Sequence, residues 1–167
     1  MAAFGDWKYR AQEGPSSHDN DGVIAHFNVP PREAWHVLSL WCEYTASDTA
    51  ATRAIRMIVR DLDDDVVMEI APGVTVTASQ QRDFLFAPGV ADLTAARDTD
   101  LIMTPIPAGM ILPPGWDVSI QELSSGDTTD SDVMVMQLMY ASINVLSSGV
   151  ATQQSSDQPL NTDSDLS

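Results

Sequence analysis

The sequence has one cysteine, one lysine and no apolar run approaching the roughly 20 residues that cross a bilayer. A single thiol closes no internal disulfide, so the body must stand on packing alone. Cys42 falls in phase with Leu38, Leu40 and Tyr44 and reads as a small buried hydrophobe, not a nucleophile. Eight Lys and Arg against 24 Asp and Glu leave a formal charge of −16. Nucleic-acid binding gains from counterion release only where cations meet phosphates, so direct contact with DNA or RNA is excluded, as is docking on an anionic membrane. The same charge either simply keeps the chain in solution or points to a basic partner or a place free of polyanions. Residues 1–10 show no basic region followed by an apolar one, and are expected not to act as a secretory signal.

Catalytic patterns are missing too. His18, His26 and His36 lack the spacing of a metal-binding cupin, and are expected to be structural. There is no G-x-S-x-G elbow and no glycine-rich phosphate loop with its lysine. Paired carboxylates say nothing in a chain with 24 acids. Asp61, Asp63, Asp64 and Asp65, and again Asp127, Asp130 and Asp132, could offer oxygens to calcium. Both lack the glycine and closing glutamate of an EF-hand loop and read as solvated turns, where aspartate caps the backbone. The expectation is a protein that is no enzyme, with no metal and no cofactor.

What is present is strand and turn. Pro114-Gly115 signals a type II turn, because proline presets φ at the second position and glycine accepts positive φ at the third. Behind it Trp116, Val118 and Ile120 alternate with Asp117, Ser119 and Gln121, a half-buried strand. Similar runs lie at 22–29, 35–47, 52–61, 66–70, 74–77, 81–86 and 101–106, punctuated by Pro30-Pro31, Pro72-Gly73 and Pro88-Gly89. In 52–61, Ile55, Met57 and Val59 point one way and Arg56 and Arg60 the other. The run from Asp132 to Tyr140, reaching to Leu146, is apolar on both faces and predicts a central strand covered on both sides. Residues 90–100 read as a longer connection with a helical turn near Val90–Arg97. No amphipathic helix emerges.

Together these predict an all-β fold: a jelly-roll-like β-sandwich of eight to ten antiparallel strands with extended N- and C-terminal arms. The division is an N-terminal arm at 1–21, a sandwich domain at 22–146 and a polar acidic tail at 147–167, whose Ser, Thr, Gln, Asp and Asn form no core. Phe4, Trp7 and Tyr9 are out of keeping with a polar arm. They either fold back on the body or anchor the arm on a neighbouring subunit. With Trp35, Trp41 and Trp116, each on or beside an apolar strand, they are the contact candidates.

Tyr44-Thr45-Ala46-Ser47 with Arg53, Thr77-Ala78-Ser79-Gln80-Gln81 with Phe84–Gly89, and the Pro107–Gly115 corner follow a familiar path. It resembles a group of small β-rich virion structural proteins of tailed bacteriophages and prophages. There a Tyr-Thr-Ala-Ser strand end leads to an arginine strand and a Leu-Pro-Pro-Gly corner opens the last hairpin. The likeness covers about Trp35 to Tyr140 and departs at Ala50-Ala51, where a glycine belongs. It implies a phage particle component. A capsid decoration (cement) protein on the head exterior fits best, bound to the major capsid protein and to copies of itself as a dimer or trimer. A head–tail adaptor or tail protein is the second reading, and a carbohydrate-binding adhesion module the third.

Overall fold

The structure, a computed structural model, describes residues 7–14, 16–19, 22–91, 101–125 and 132–145, with side chains placed except at 12–23 and 124–125. Twelve strands are present among them. They are β1 (Lys8–Gly14), β2 (Ser16–Asp19), β3 (Gly22–Asn28), β4 (Glu33–Thr45), β5 (Thr52–Arg60) and β6 (Val66–Ile70), followed by β7 (Thr75–Val76), β8 (Gln81–Pro88), β9 (Leu101–Ile106), β10 (Ile111–Leu112), β11 (Asp117–Ser125) and β12 (Val133–Asn144). No helix occurs among the described residues. Most of the helical turn expected near Val90–Arg97 lies outside them, as do residues 1–6 and the tail from 146.

Two six-stranded sheets form. One, called here the A sheet, runs β1-β12-β4-β8-β9 with β10 also on β4; the other, the B sheet, runs β2-β3-β11-β5-β6 with β7 also on β5. The pairing is nested: β1 with β12, β3 with β11, β4 with β8 and β5 with β6, alternately in the two sheets. A chain folded in half as a ribbon and rolled up gives this order, and it is the jelly roll. Two features go beyond the expectation. There are twelve strands rather than eight to ten, and β8 and β9 are parallel. The stretch 1–21, set aside as an arm, supplies β1 and β2 to the two sheets.

Alternation builds the core. The A sheet turns Trp35, Val37, Leu40, Cys42, Phe84, Phe86, Met136 and Leu138 inward against Phe27, Ile55, Met57, Val59, Val118 and Ile120 of the B sheet, all buried. Burial on this scale supplies the main driving force for a chain without disulfides. Leu38 was expected on the inward face with Leu40. Instead Met139 pairs with Ser39 and Tyr140 with Val37, so Leu38 is the extra residue of a β-bulge and Val37 takes the inward place.

The corner behaves as its sequence says. Gly115 has φ +81°, and the Trp116 N–H donates to the Pro113 carbonyl at 3.3 Å, closing the turn. A β-carbon on Gly115 would also collide with the Leu62 side chain. Gly89, after Pro88, likewise has φ +72°.

Candidate interaction face

At one end of the sandwich the core is polar. Arg53 follows the phase of Ile55 and Met57, so the B sheet carries its guanidinium inward, where it is fully buried. Asp132 enters from the start of β12 and meets it, Arg53 Nε donating to Oδ2 at 2.6 Å. The Tyr44 hydroxyl, from the A sheet, donates to the same oxygen at 2.8 Å, and the Ser47 N–H donates to Oδ1. Arg53 Nη2 donates to Ser47 Oγ at 2.8 Å, and Glu122 lies 3.8 Å from Arg53 Nε. Burial opposes ionisation of Asp132, but the Ser47 N–H, the Arg53 guanidinium and the Tyr44 hydroxyl outweigh it and hold the carboxyl below its usual range. Burial, with the hydrogen bond to Asp132, pushes the Tyr44 hydroxyl up. This is a polar pin joining both sheets. It also corrects the reading of Asp132 as part of a solvated acidic turn, while Asp127 and Asp130 lie outside the described residues.

Asp61 performs the turn role expected of its cluster, its Oδ1 accepting from the N–H groups of Asp63 and Asp65 at 3.0 and 3.1 Å. Cys42 is buried, and burial, reinforced by Asp83 and Glu43, pushes its thiol up, which leaves it inert as a nucleophile. His26 is exposed on the B sheet, and His36 lies on the A sheet. The side chain of His18 is among those not described.

The outward face of the B sheet is polar, and its charged groups pair with one another although Arg56 Nε and Asp117 Oδ1 make no hydrogen bond. Arg56 reaches Glu69 at 3.1 Å and Gln121 at 3.1 Å. Arg60 lies 3.5 Å from Asp64 and 4.0 Å from Asp117. These groups surround a buried Ile58.

The outward face of the A sheet is different. Register places Tyr9, Ala141, His36 and Ile111 in one cross-strand row, and Gln137, Trp41, Leu85 and Met103 in another. Met139 lies between them beside Ala11, and Val135 stands one step further along. The second run then meets Glu43, Asp83 and Leu101. Met139 is 51% exposed, Tyr9 78% and Ile111 53%. The run in β12 that reads as covered on both sides is therefore covered on one; Met134, Met136 and Leu138 are buried, whereas Val133 and Met139 face outward.

Of the six aromatic contact candidates, three gather here. Tyr9 and Trp41 stand on the face, and Trp7, 39% exposed, sets its ring edge-on against His36 at 6.0 Å. Trp35 does not belong with them: it is 2% exposed in the core, its ring 4.1 Å from that of Tyr140. Its indole N–H donates to Glu33 at 2.8 Å. Trp116 packs half-buried against the core, and Phe4 lies outside the described residues. Sequence reasoning missed Leu85, Met103 and Met139 as face residues. Their signal was present as apolar residues out of phase with Phe84, Phe86, Ile102 and Met136.

No protein-family model matches the sequence, and no curated protein matches it. Among solved structures, similarity is found to infectious bursal disease virus of the Gx strain, with 9% identity and a TM-score of 0.36 over 90% of this chain and 35% of that one. A second similar structure is the T=1 particle derived from infectious bursal disease virus, at 10% identity and a TM-score of 0.31, covering 83% of this chain and 32% of that one. The chain thus spans about a third of the length of the structures it matches.

Proposed function

We propose that the chain is a structural component of a virus particle, and within that role a decoration protein on the outside of the head. There it binds the major capsid protein and, through the lattice, sits beside copies of itself. A jelly roll alone hosts many functions, so one observation carries the weight: an apolar sheet face five strands wide on a strongly acidic molecule. Contiguous apolar surface of this kind marks interaction sites on otherwise well-solvated proteins. The charge of −16 suits an outer surface, since packaged nucleic acid would repel it. A rigid β-sandwich pinned through its core by Arg53 and Asp132 acts as a spacer that transmits load between contacts. The resemblance of Tyr44–Ser47, Arg53 and the Leu112–Gly115 corner to tailed-phage virion proteins supports the same reading.

Purified particles provide the test. The chain is expected to co-sediment with them in a copy number that follows the head lattice, and to be reached by antibodies from outside. A copy number matching one ring at the neck would favour the adaptor role, and absence from particles would end the proposal.

A further inference from the structure

The strand β1 is held by its backbone and hardly at all by its side chains. It stands at the edge of the A sheet and pairs with β12 along its whole length, Lys8–Gly14 against Ser142–Met136. Every placed side chain from Trp7 to Ala11 is exposed, Tyr9 at 78%. The strands next to it, β12 and β4, fill the core instead. We infer that β1 is exchanged between copies of the chain, the Lys8–Gly14 strand of one lying on β12 of the next. The inference deepens the proposed virion role by naming how neighbouring copies are joined, and rests on it only for the place where copies meet.

A ladder made of main-chain hydrogen bonds is the same ladder whichever chain supplies the strand. No described side chain of β1 is buried, so exchange forfeits little packing, and the ring of Trp7 meets His36 equally well on a neighbour. Exchange of an identical element is a low-cost route to assembly. The β12 edge needs a strand from somewhere, because an open edge recruits one. In a closed ring each copy gives one strand and receives one, so no edge stays open.

The join to the body favours exchange. β1 lies in the A sheet, β2 in the B sheet, and only Pro15 separates them in the sequence. Folded back, the chain must pass between sheets across that residue. Exchanged, it runs straight on, the extended course that proline and the residue before it prefer. Short connections of this kind invite swapping. β2 stays behind, paired with β3 from Ser16 to Asp19.

Charge and reach agree. Residues 8–14 hold Lys8 and Arg10 against Glu13, a cationic strand in a chain of charge −16. Copies are then linked by an arm of one sign on a body of the other, while the acidic bodies stay apart. A strand of this length, at about 3.4 Å per residue, reaches roughly 24 Å, enough to span touching neighbours. A lattice holds such neighbours at effective concentrations on the order of millimolar.

The test uses disulfide capture in the full chain. Ala11 and Met139 face each other across β1 and β12. Opposed antiparallel residues lie about 4.5–5.5 Å apart at Cα, inside the range a disulfide spans. Two variants, Ala11→Cys and Met139→Cys, are mixed, concentrated and mildly oxidised, while buried Cys42 stays out of the reaction. A disulfide joining the two different variants is expected well above either homodimer. Its yield should rise about tenfold per tenfold in concentration while it remains small. Both positions are exposed, so unchanged thermal unfolding will show that the variants fold. A double variant with both cysteines in one chain should close internally in dilute solution.

If the double variant closes but the mixture gives no cross-chain disulfide, or only the share that random collision gives, the inference is overturned. A double variant that does not close overturns it too, because β1 then does not lie on β12. Co-sedimentation decides the virion role separately. Cross-chain disulfides in concentrated solution from a chain absent from particles keep the inference and discard that role, whereas particle-bound chains whose disulfides close only internally do the reverse.

Discussion

The two outward faces of the sandwich rest on the same core yet follow opposite chemistry. On the B sheet, Arg56, Arg60, Glu69, Gln121 and Asp117 form ion pairs and hydrogen bonds that consume one another's charge. On the A sheet, Tyr9, Trp41, Leu85, Met103 and Met139 face out with two carboxylates among them. A free-standing domain needs only the first kind of surface. The second costs solubility, and on a chain this acidic it is the feature on which the proposed contact role rests.

The largest effect should come from the pin that ties the sheets together. Asp132→Asn strips the buried Arg53 guanidinium of its nearest carboxylate charge and should cost about 3–5 kcal/mol in urea unfolding, exposing both faces at once. Replacing Arg53, Glu122 and Asp132 together by apolar residues of similar volume should recover much of that loss. Acid reads the same group. Because the folded state holds the Asp132 carboxyl below its unfolded value, its contribution is complete above about pH 4 and is lost as pH falls through the folded value. An unfolding series from pH 6 downward should show that loss, and the Asp132→Asn variant should lack it.

A smaller effect is expected where the B-sheet rim meets the corner before β11. Gly115→Ala places a β-carbon at φ +81° against Leu62 and should cost about 1–3 kcal/mol in thermal unfolding. On the B face, Arg56→Ala removes a partly exposed pair and should cost less than about 1 kcal/mol, with the difference fading at high salt. On the A face, Met139→Asp should leave stability within about 0.5 kcal/mol while raising solubility and abolishing association. If Arg56→Ala impaired association and Met139→Asp did not, the comparison between the faces would be reversed.

The main strands were legible because Ile55, Met57 and Val59, or Val118 and Ile120, alternate without a break. The Pro114-Gly115 turn was legible because few residues accept that backbone. β1 and β2 were not, since Lys8–Gly14 and Ser16–Asp19 carry no apolar period. They become strands because β12 and β3 offer them open backbone edges. The bulge at Leu38 was hidden as well, because a one-residue slip exchanges the faces without changing composition. Arg53, Glu122 and Asp132 occupy inward phases beside Ile55, Ile120 and Met134, so three charges in step with apolar residues could have signalled an internal pin. The apolar double face of β12 was seen, but its cause was not: alternation cannot tell a layer of the same chain from a layer supplied by another.

Hydroxyl-radical footprinting of the free chain and of intact particles tests that last point most directly. Met139, Met103, Tyr9 and Trp41 should oxidise readily in the free chain and be shielded in the particle, while His26 on the B sheet reacts equally in both. Unchanged oxidation of the four A-sheet side chains on assembly, or shielding confined to the B sheet, would contradict the account.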